Sequence, residues 1–569
     1  MTPRGYLVRA RTDGRVLSSG ISWAAATWRT GVDVTVGANL AQLPLGPGGL
    51  LLGTLFRKSD SSRITTMSER SDDRAADLLD RHWGGYVALW QDGHGIRVLR
   101  DPSGSLPCYY VERPGEILLA SDLTALRVEG WVARPDLDAV ARQFLDGQLQ
   151  RATTCVEGVR ELLPGMMLEI TETGARSMQL WRGAKFAAAA SASDLMDEAR
   201  TRVRRVIEDC TGAWRGCFRA PMVEMSGGLD SSIVAACLGE TVFGIPALNL
   251  VTPGRDGDER RYARDIADHV GACLTEGQRD PDRIDLSLAI APYLPRPGVR
   301  GFTQESDRLI TTLADAVGAD AIFSGGGGDS VFCALPSALA AVDALQSAGL
   351  GRFFDTLRDA AECSNRTIWW ALRRVLRGAR ARPGARACPH RAELLATDFR
   401  VPPVDIQHPW LDGAETLPRG RREHIAMVAG ILGHLHGMGR AQRRPMIFPL
   451  MAQPVIETCL AIPSWLWVED GIDRAVARRA FADRLPASVA FRRTKGHLDV
   501  FGRMVFDQHR LVIREMLLGG ALAAGGVLDC AVIERTLAGD PPIHTINHFD
   551  FLELVDMEAW IQGVSSAWR

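Results

Sequence analysis

Residues 223–232 read Val223-Glu224-Met225-Ser226-Gly227-Gly228-Leu229-Asp230-Ser231-Ser232. The apolar start predicts a strand, the Ser-Gly-Gly a turn, and Ser231 to Leu238 a helix. Glycine accepts backbone dihedrals that a Cβ forbids, so Ser226-Gly227-Gly228 can turn sharply and bring bare amides close to an anion. The amides and positive dipole end of the following helix favour phosphate. Asp230 supplies a carboxylate where Mg²⁺ would bridge phosphate oxygens. The Lys of the G-x-x-x-x-G-K-[ST] loop is absent, so this is a different phosphate grip. The build is that of a pyrophosphate-holding loop in an enzyme that splits ATP between its α and β phosphates. A plain Gly-rich turn at a helix start is the alternative. The strand, turn, Asp and helix taken together disfavour it.

Outward from this loop the pattern is strand, loop and helix. Met222–Met225, Pro246–Val251 and Ala319–Phe323 read as strands, with a helix near Glu259 to Val270. Such alternation implies a parallel sheet covered by helices, with ligands at the carboxyl ends of its strands. The third strand runs into Ser324-Gly325-Gly326-Gly327-Gly328-Asp329. Four successive glycines cost conformational entropy and need a reason, such as close backbone approach to a ligand. Asp329 is placed to hold the same Mg²⁺ as Asp230, two carboxylates clamping a metal-pyrophosphate. Further on, Arg492-Arg493-Thr494-Lys495-Gly496-His497 is basic. A Lys beside phosphates neutralises charge developing on the leaving group or, with a lowered pKa, helps deprotonate an attacking amine. Taken alone, Lys495 is more simply a solvated side chain. His424, His434 and His436 read as packing or surface residues, because His434-Leu435-His436 is not a metal spacing on one helix face.

The first ~185 residues are strand-rich. Tyr86–Trp90, Ile96–Leu99 and Ile117–Ala120 are apolar or alternating runs separated by Asp-Gly, Pro-Ser-Gly and Pro-Gly turn signals. Residues 187–193 break the pattern as a linker into a helix from about Asp194 to Asp209, where Leu195, Ala199, Val203 and Val206 recur at helical spacing. The boundaries expected are therefore 1–185, a linker and connecting helix over 186–215, and a second domain over 216–569. Within the last, residues 373–391 carry seven Arg and no acid. They read as a solvated, mobile insertion or, alternatively, as a docking surface for an acidic peptide or protein.

Composition bounds the rest. A chain of 569 residues exceeds one ordinary core. With 46% hydrophobic and 24% charged residues it is globular. A net charge of −2 gives no general case for nucleic acid or an anionic membrane. Eleven Cys form no C-x-x-C pair, and their odd number points to a reducing cytoplasm. No run approaches 18 apolar residues, so no membrane span is expected.

With both loops in hand, the chain resembles the asparagine synthetase superfamily. The N-terminal part is similar to its glutaminase-like domain through Leu99-Arg100-Asp101-Pro102-Ser103-Gly104, Pro107-Cys108-Tyr109-Tyr110, Leu119-Ala120-Ser121-Asp122, and Leu163-Pro164-Gly165 with Leu180-Trp181. Ser226 to Ser232 and Ser324 to Asp329 are similar to the two nucleotide loops of its synthetase domain. The resemblance implies an α/β protein: an Ntn-type β-sandwich followed by a parallel-sheet PP-loop ATP pyrophosphatase domain. Two departures narrow it. The glutaminase reaction uses a Cys directly after the initiator Met, whereas position 2 is Thr and no Cys precedes Cys108. The N-terminal domain is then expected to be a scaffold or recognition module. Around Met446–Met451, Pro445 and Ala452 stand where asparagine synthetases carry acidic residues, which disfavours an aspartate-to-asparagine enzyme.

Within the superfamily, Gly257–Ala263, the Ser324–Phe332 run, Gln453-Pro454-Val455-Ile456-Glu457 and Thr494–His497 look like lasso peptide cyclases. That resemblance implies ATP-dependent adenylation of an Asp or Glu side chain of a precursor core peptide. The peptide's own N-terminal amine then attacks to close an isopeptide macrolactam, releasing AMP and pyrophosphate. Ser226, Gly227, Gly228 and Ser231 would hold pyrophosphate, and Ser324 and Gly325 would lie by the nucleotide. Asp230 and Asp329 would bind Mg²⁺, and Lys495 would act in adenylation or amine attack. The implied partners are the core peptide, a leader-peptide protease and a leader-binding protein. The alternatives are a β-lactam synthetase-like or ammonia-dependent amide former, or a non-catalytic binding homologue.

Overall fold

The computed structural model describes residues 5–11, 32–46, 48–67, 73–93, 95–147, 149–191, 193, 195–240, 243–254, 258–298, 301–334, 338–380, 389–400, 408–493, 499–539 and 547–567. Among these residues twelve strands precede residue 180: β1 (Tyr6–Arg11), β2 (Val32–Val36), β3 (Gln42–Pro44), β4 (Gly49–Arg57), β5 (Arg63–Ile64), β6 (His82–Asp92), β7 (Gly95–Arg100), β8 (Tyr109–Arg113), β9 (Glu116–Ala120), β10 (Arg160–Glu161), β11 (Met166–Thr171) and β12 (Gly174–Gln179). They form two antiparallel sheets, ordered β10-β8-β9-β1-β2 and β12-β11-β7-β6-β4-β3, with β5 beside β4. Alternate residues of both sheets point into one core. Tyr6, Val8 and Leu119 meet Val87, Leu89, Val98 and Leu168 there, as two facing sheets with one inward face each require. This is the sandwich the sequence resemblance implied.

The arginine of the Leu99–Gly104 motif holds this unit together. Arg100 is wholly buried; its Nη1 donates to Glu161 at 2.8 Å and to the Leu162 carbonyl at 2.7 Å. Its Nη2 donates to the Gly104 carbonyl at 2.9 Å. A buried guanidinium needs every donor matched, and here one side chain ties β7 to β10 and to the following turn.

Beyond residue 220 five strands make a wholly parallel sheet: β13 (Pro221–Glu224), β14 (Pro246–Val251), β15 (Cys273–Gln278), β16 (Ala321–Phe323) and β17 (Met446–Ile447), in the order β15-β14-β13-β16-β17. The chain builds outward from β13 through β14 to β15, then returns to β16 on the other side. The order therefore reverses between β13 and β16, the place where open α/β sheets leave a crevice at their carboxyl ends. The helix Leu229–Gly239 follows β13 and is buried along nearly all its length. Its Ile233, Val234, Ala235 and Leu238 leave no polar face, as a helix enclosed on all sides requires. The long helix Met196–Arg215 lies against it through Val203 and Ile207.

Three expectations change. The connecting helix runs to Arg215 rather than Asp209, because Cys210 and Thr211 continue its buried stripe. Strands β15 and β17 were not anticipated. The first carries Thr275, Glu276 and Gln278 outward, and the second is two residues long. The Arg-rich segment is not an unstructured insertion over its first part. Residues 373–380 belong to the helix Ile368–Arg380, anchored by buried Ala371 and Val375 against Phe353, Leu357 and Ala361. Residues 381–388 lie outside the described residues. Among the described residues no helix is long and apolar enough to cross a membrane.

Candidate functional site

The two glycine loops leave adjacent strands and meet. After β13, the Ser226 amide donates to Ser231 Oγ at 3.2 Å, and the two hydroxyls lie 3.0 Å apart. Ser226 Oγ accepts from the Gly228 amide at 3.2 Å. The loop is thus closed by its own serines, leaving the N-terminal turn of the helix Leu229–Gly239 without a side-chain cap. Uncapped amides at a helix start are donors seeking an anion. Asn249 on β14 fixes the strand end, its Nδ2 donating to the Met225 carbonyl at 2.8 Å.

Gly227 has φ +73°, and a Cβ there would lie 2.6 Å from the Ala263 amide nitrogen and 2.7 Å from the Tyr262 backbone. It is not among the cleft-lining residues, although Ser226 and Gly228 on either side are, and its glycine character is required by contact with the helix Arg260–Val270.

The second loop's glycines have the same kind of reason. A Cβ on Gly325 would meet the Asp230 carbonyl carbon at 2.6 Å, and one on Gly328 the Asp230 Cβ at 2.6 Å. One on Gly326 would meet Phe448 at 2.9 Å, and one on Gly327, at φ +90°, the Met451 Cγ at 2.6 Å. The run is glycine because two loops and the segment after β17 share one small space. The same four glycines also line the cleft at this junction.

Ser226, Gly228, Asp230, Ser231, Ser324, Gly325 and Asp329 line a cleft of about 360 Å³ at this junction. Ser232 does not: it is fully buried in the helix. The carboxylates of Asp230 and Asp329 converge on one nitrogen. Arg474 Nη1 lies 2.5 Å from Asp329 Oδ1 and 3.4 and 3.5 Å from the two oxygens of Asp230. Burial opposes the charge of Arg474, but Asp230, Asp329 and Asp473 outweigh it and hold its pKa above the ordinary value. A cation therefore has a defined place between the two acids. Two carboxylates are too few to cage Mg²⁺ alone, and among the described residues no larger His/Cys/Asp/Glu group exists. They suit a Mg²⁺ that takes its remaining oxygens from phosphate and water.

Arg474, Arg478, Arg492 and Arg279 also line the cleft. Sequence reasoning singled out only the segment containing Arg492. That side chain pairs with Glu259 at 2.8 Å, reaches the Gly227 carbonyl at 3.5 Å and lies 3.8 Å over the Tyr262 ring. Arg279 sits over Phe501 at 4.4 Å, and burial lowers its pKa to about 10. Arg474 follows a tight hairpin whose Asp470-Gly471 turn is a recognisable sequence signal. The arginine after it carried no signal of its own. Lys495 lies outside the described residues. His424 is buried, bonds the Val331 carbonyl at 2.9 Å and has its pKa lowered to about 4 by burial, so it is a packing residue.

The segment Gln453–Glu457 faces the N-terminal sandwich. Glu457 accepts from Lys58 at 2.7 Å and from Trp181 Nε1 at 2.9 Å, and Gln453 Nε2 donates to the Leu79 carbonyl at 2.8 Å. A second cavity, about 370 Å³, lies between the sandwich and the parallel sheet and shares Phe448 and Met451 with the glycine loop's surroundings. Cys108 does not open onto it: the thiol is buried, and burial pushes its pKa up to about 11.

Comparison with known proteins places this geometry. Residues 219–562 match the family model described as asparagine synthase, and residues 56–181 match that of a glutamine amidotransferase domain. The chain is 26% identical over 233 residues to carboxyethyl-arginine beta-lactam-synthase of Streptomyces clavuligerus, a match spanning 41% of this chain and 40% of that relative's length. Among solved structures, glutamine phosphoribosylpyrophosphate amidotransferase from B. subtilis, complexed with ADP and GMP, is 15% identical. It covers 56% of this chain and 84% of its own, with a TM-score of 0.20. The allosteric regulatory enzyme of purine biosynthesis is 13% identical, covering 48% and 74%, also at 0.20. Neither superposition bears on the site. The asparagine synthase match takes in the whole parallel sheet, both glycine loops and Arg474, and the chain belongs to the asparagine synthase family.

Proposed function

We propose that the protein is an ATP-dependent amide-forming ligase that activates a carboxylate as its adenylate, and that the substrate is a peptide cyclised through an Asp or Glu side chain. The observation that carries the first part is the junction of the two loops. A helix N-terminus with uncapped amides, two carboxylates sharing one cation position and three further arginines surround a single cleft.

In this mechanism the amides of the turn that follows Gly228 and the hydroxyls of Ser226 and Ser231 hold the β and γ phosphates as leaving pyrophosphate. Asp230 and Asp329 would hold Mg²⁺, which supplies charge neutralisation on the phosphates. Arg474 and Arg492 add positive charge at the leaving group. The amine that attacks the acyl-adenylate comes from the substrate. Once the peptide is held folded, orientation alone supplies up to roughly 7–11 kcal/mol of the barrier reduction. Lys495, on its family-like segment, is assigned to adenylation or amine attack.

The peptide reading is supported by the likeness of the motifs quoted above to lasso peptide cyclases. It is also supported by a third cavity of about 360 Å³, which shares Ser330 and Ile431 with the cleft and extends the space beside it. The leader protease and leader-binding protein are partners on the same reading. The match to carboxyethyl-arginine beta-lactam-synthase favours a second reading, a small amino-acid derivative closed into a ring.

The test is incubation with ATP, Mg²⁺ and a leaderless core peptide encoded beside the gene. Loss of one water from the peptide with AMP release is expected. Turnover of a free amino-acid derivative with no peptide reaction would favour the second reading, and no AMP with any candidate would contradict both.

A further inference from the structure

Arg474 is held in place with unusual care for a side chain that only fills a site. It is buried, and its backbone is left-handed at φ +53°, a conformation disfavoured for a residue with a Cβ. Its Nε donates to Asp473 at 2.8 Å. Asp473 is in turn gripped by Arg478, whose Nη2 reaches its carboxylate and whose Nε reaches its carbonyl, both at 2.8 Å. Arg478 is fixed by the Ala490 carbonyl at 2.8 Å. This chain of contacts aims Nη1 at the two carboxylates expected to bind the metal.

One point between Asp230 and Asp329 cannot hold both a guanidinium and a divalent cation. Like charges at contact distance repel, most strongly on the Asp230 side, where Arg474 and Asp230 are shielded from water, and less beside the half-exposed Asp329. A phosphate oxygen in the same cleft offers the guanidinium another partner, since planar forks pair readily with phosphate.

We propose that Arg474 competes with the divalent cation for the Asp230–Asp329 pair, so that metal and pyrophosphate bind cooperatively: the anion draws the guanidinium off the carboxylates and opens them to the metal. The inference rests on the nucleotide-site reading given above. By linkage the coupling is reciprocal, so metal binding must strengthen pyrophosphate binding by the same factor. The consequence is a site that takes metal and phosphate together and binds either poorly alone.

The test is Mn²⁺ affinity of the full chain, measured by titration calorimetry and by the free-ion electron paramagnetic resonance signal, with and without inorganic pyrophosphate, each against a protein-free titration because pyrophosphate itself binds Mn²⁺. Wild type is expected to bind Mn²⁺ weakly alone and at least tenfold more tightly with pyrophosphate, on the order expected for moving one charge away from the pair. Arg474→Gln is expected to bind Mn²⁺ alone about tenfold more tightly than wild type, and to lose most of the pyrophosphate enhancement. Asp473→Asn, which loosens the tether and leaves the arginine in place, should shift both quantities in the same direction by less. It also serves if Arg474→Gln fails to fold. Wild-type enhancement by pyrophosphate, with Mn²⁺ affinity unchanged in both variants, would overturn the competition alone. No pyrophosphate-dependent Mn²⁺ binding in wild type would contradict the nucleotide-site reading together with it.

Discussion

The loop after β13 and the loop after β16 are both glycine-rich, both end in an Asp, and serve different ends. The first opens onto an eleven-residue buried helix and presents that helix's amides to the cleft. The second opens onto the four-residue turn Gly328–Val331, too short to develop much dipole. Its contribution is Asp329 and thinness. Of its four glycines, Gly325 and Gly328 press on Asp230 and Ser231 of the first loop, and Gly326 and Gly327 on Phe448 and Met451. Similar composition thus hides a division of labour: one loop turns a helix start toward the cleft, while the other is thin so that its carboxylate can stand beside the first.

That division is most exposed at Gly325. Gly325→Ala drives a methyl into the backbone of Asp230 and Ser231. Neither loop can retreat without moving a carboxylate. We expect at least a hundredfold loss of AMP formation, since positioning errors of an ångström cost that much, and a loss of stability of about 2–3 kcal/mol by overpacking. Near-normal turnover would show that the loops are not mutually positioned.

Gly227→Ala tests the other side of the first loop. Positive φ and backbone contact with Tyr262 and Ala263 predict destabilisation of about 2–4 kcal/mol in chemical denaturation. Gly228→Ala is the contrast. At φ −81° its Cβ would meet only Ser226 Oγ, at 3.2 Å. The variant should fold with stability changed by less than about 1 kcal/mol. Its ATP affinity should still fall, about five- to tenfold, because the methyl crowds amides that face the cleft. A fully stable Gly227→Ala, or a Gly228→Ala variant that binds ATP normally, would reverse the roles given to these two positions.

In the wild type the smallest expected effect is that of pH, because opposing groups offset one another. Burial raises the pKa of Asp101 and Asp343 to about 6, and burial lowers that of His408 and His424 to about 4. The aspartates favour the fold at low pH, and their contribution is lost as pH rises from about 4 to 6. The histidines favour it above about 6.5, and theirs is lost as pH falls toward 4. Each group is worth on the order of 3 kcal/mol over its window, and the two pairs nearly cancel. Asp343→Asn removes one side of the balance and keeps an acceptor for the Gly420 or Arg421 amide. Its stability should decline more steeply than that of wild type as pH falls from 6.5 to 4. Parallel pH profiles would contradict these protonation states.

Much of this site was legible because strand, turn and helix punctuation is local. Ser226 to Ser232 and Ser324 to Asp329 announce themselves, and Pro246–Val251 is a strand with the bounds read from its composition. What escaped is non-local. Arg474 and the packing partners Tyr262, Phe448 and Met451 lie up to about two hundred and fifty residues from the loops they touch, and Arg279 enters the cleft from the residue after β15. No pattern of spacing marks them. The glycine run was recognised as demanding a reason, but a neighbouring loop and a ligand leave the same trace in a sequence. Gln453 and Glu457 drew notice as part of a family motif, and the structure gives them interdomain contacts instead.

On the proposed reading, this cleft breaks ATP between the α and β phosphates. The direct measurement is ³¹P resonance analysis of the nucleotide products formed with Mg²⁺ and the candidate core peptide, in wild type and in Asp230→Asn. AMP and pyrophosphate are expected in equal amounts from wild type, matched by dehydrated peptide, and neither product from the variant. ADP and orthophosphate as the products, or AMP formation undiminished in Asp230→Asn, would contradict it.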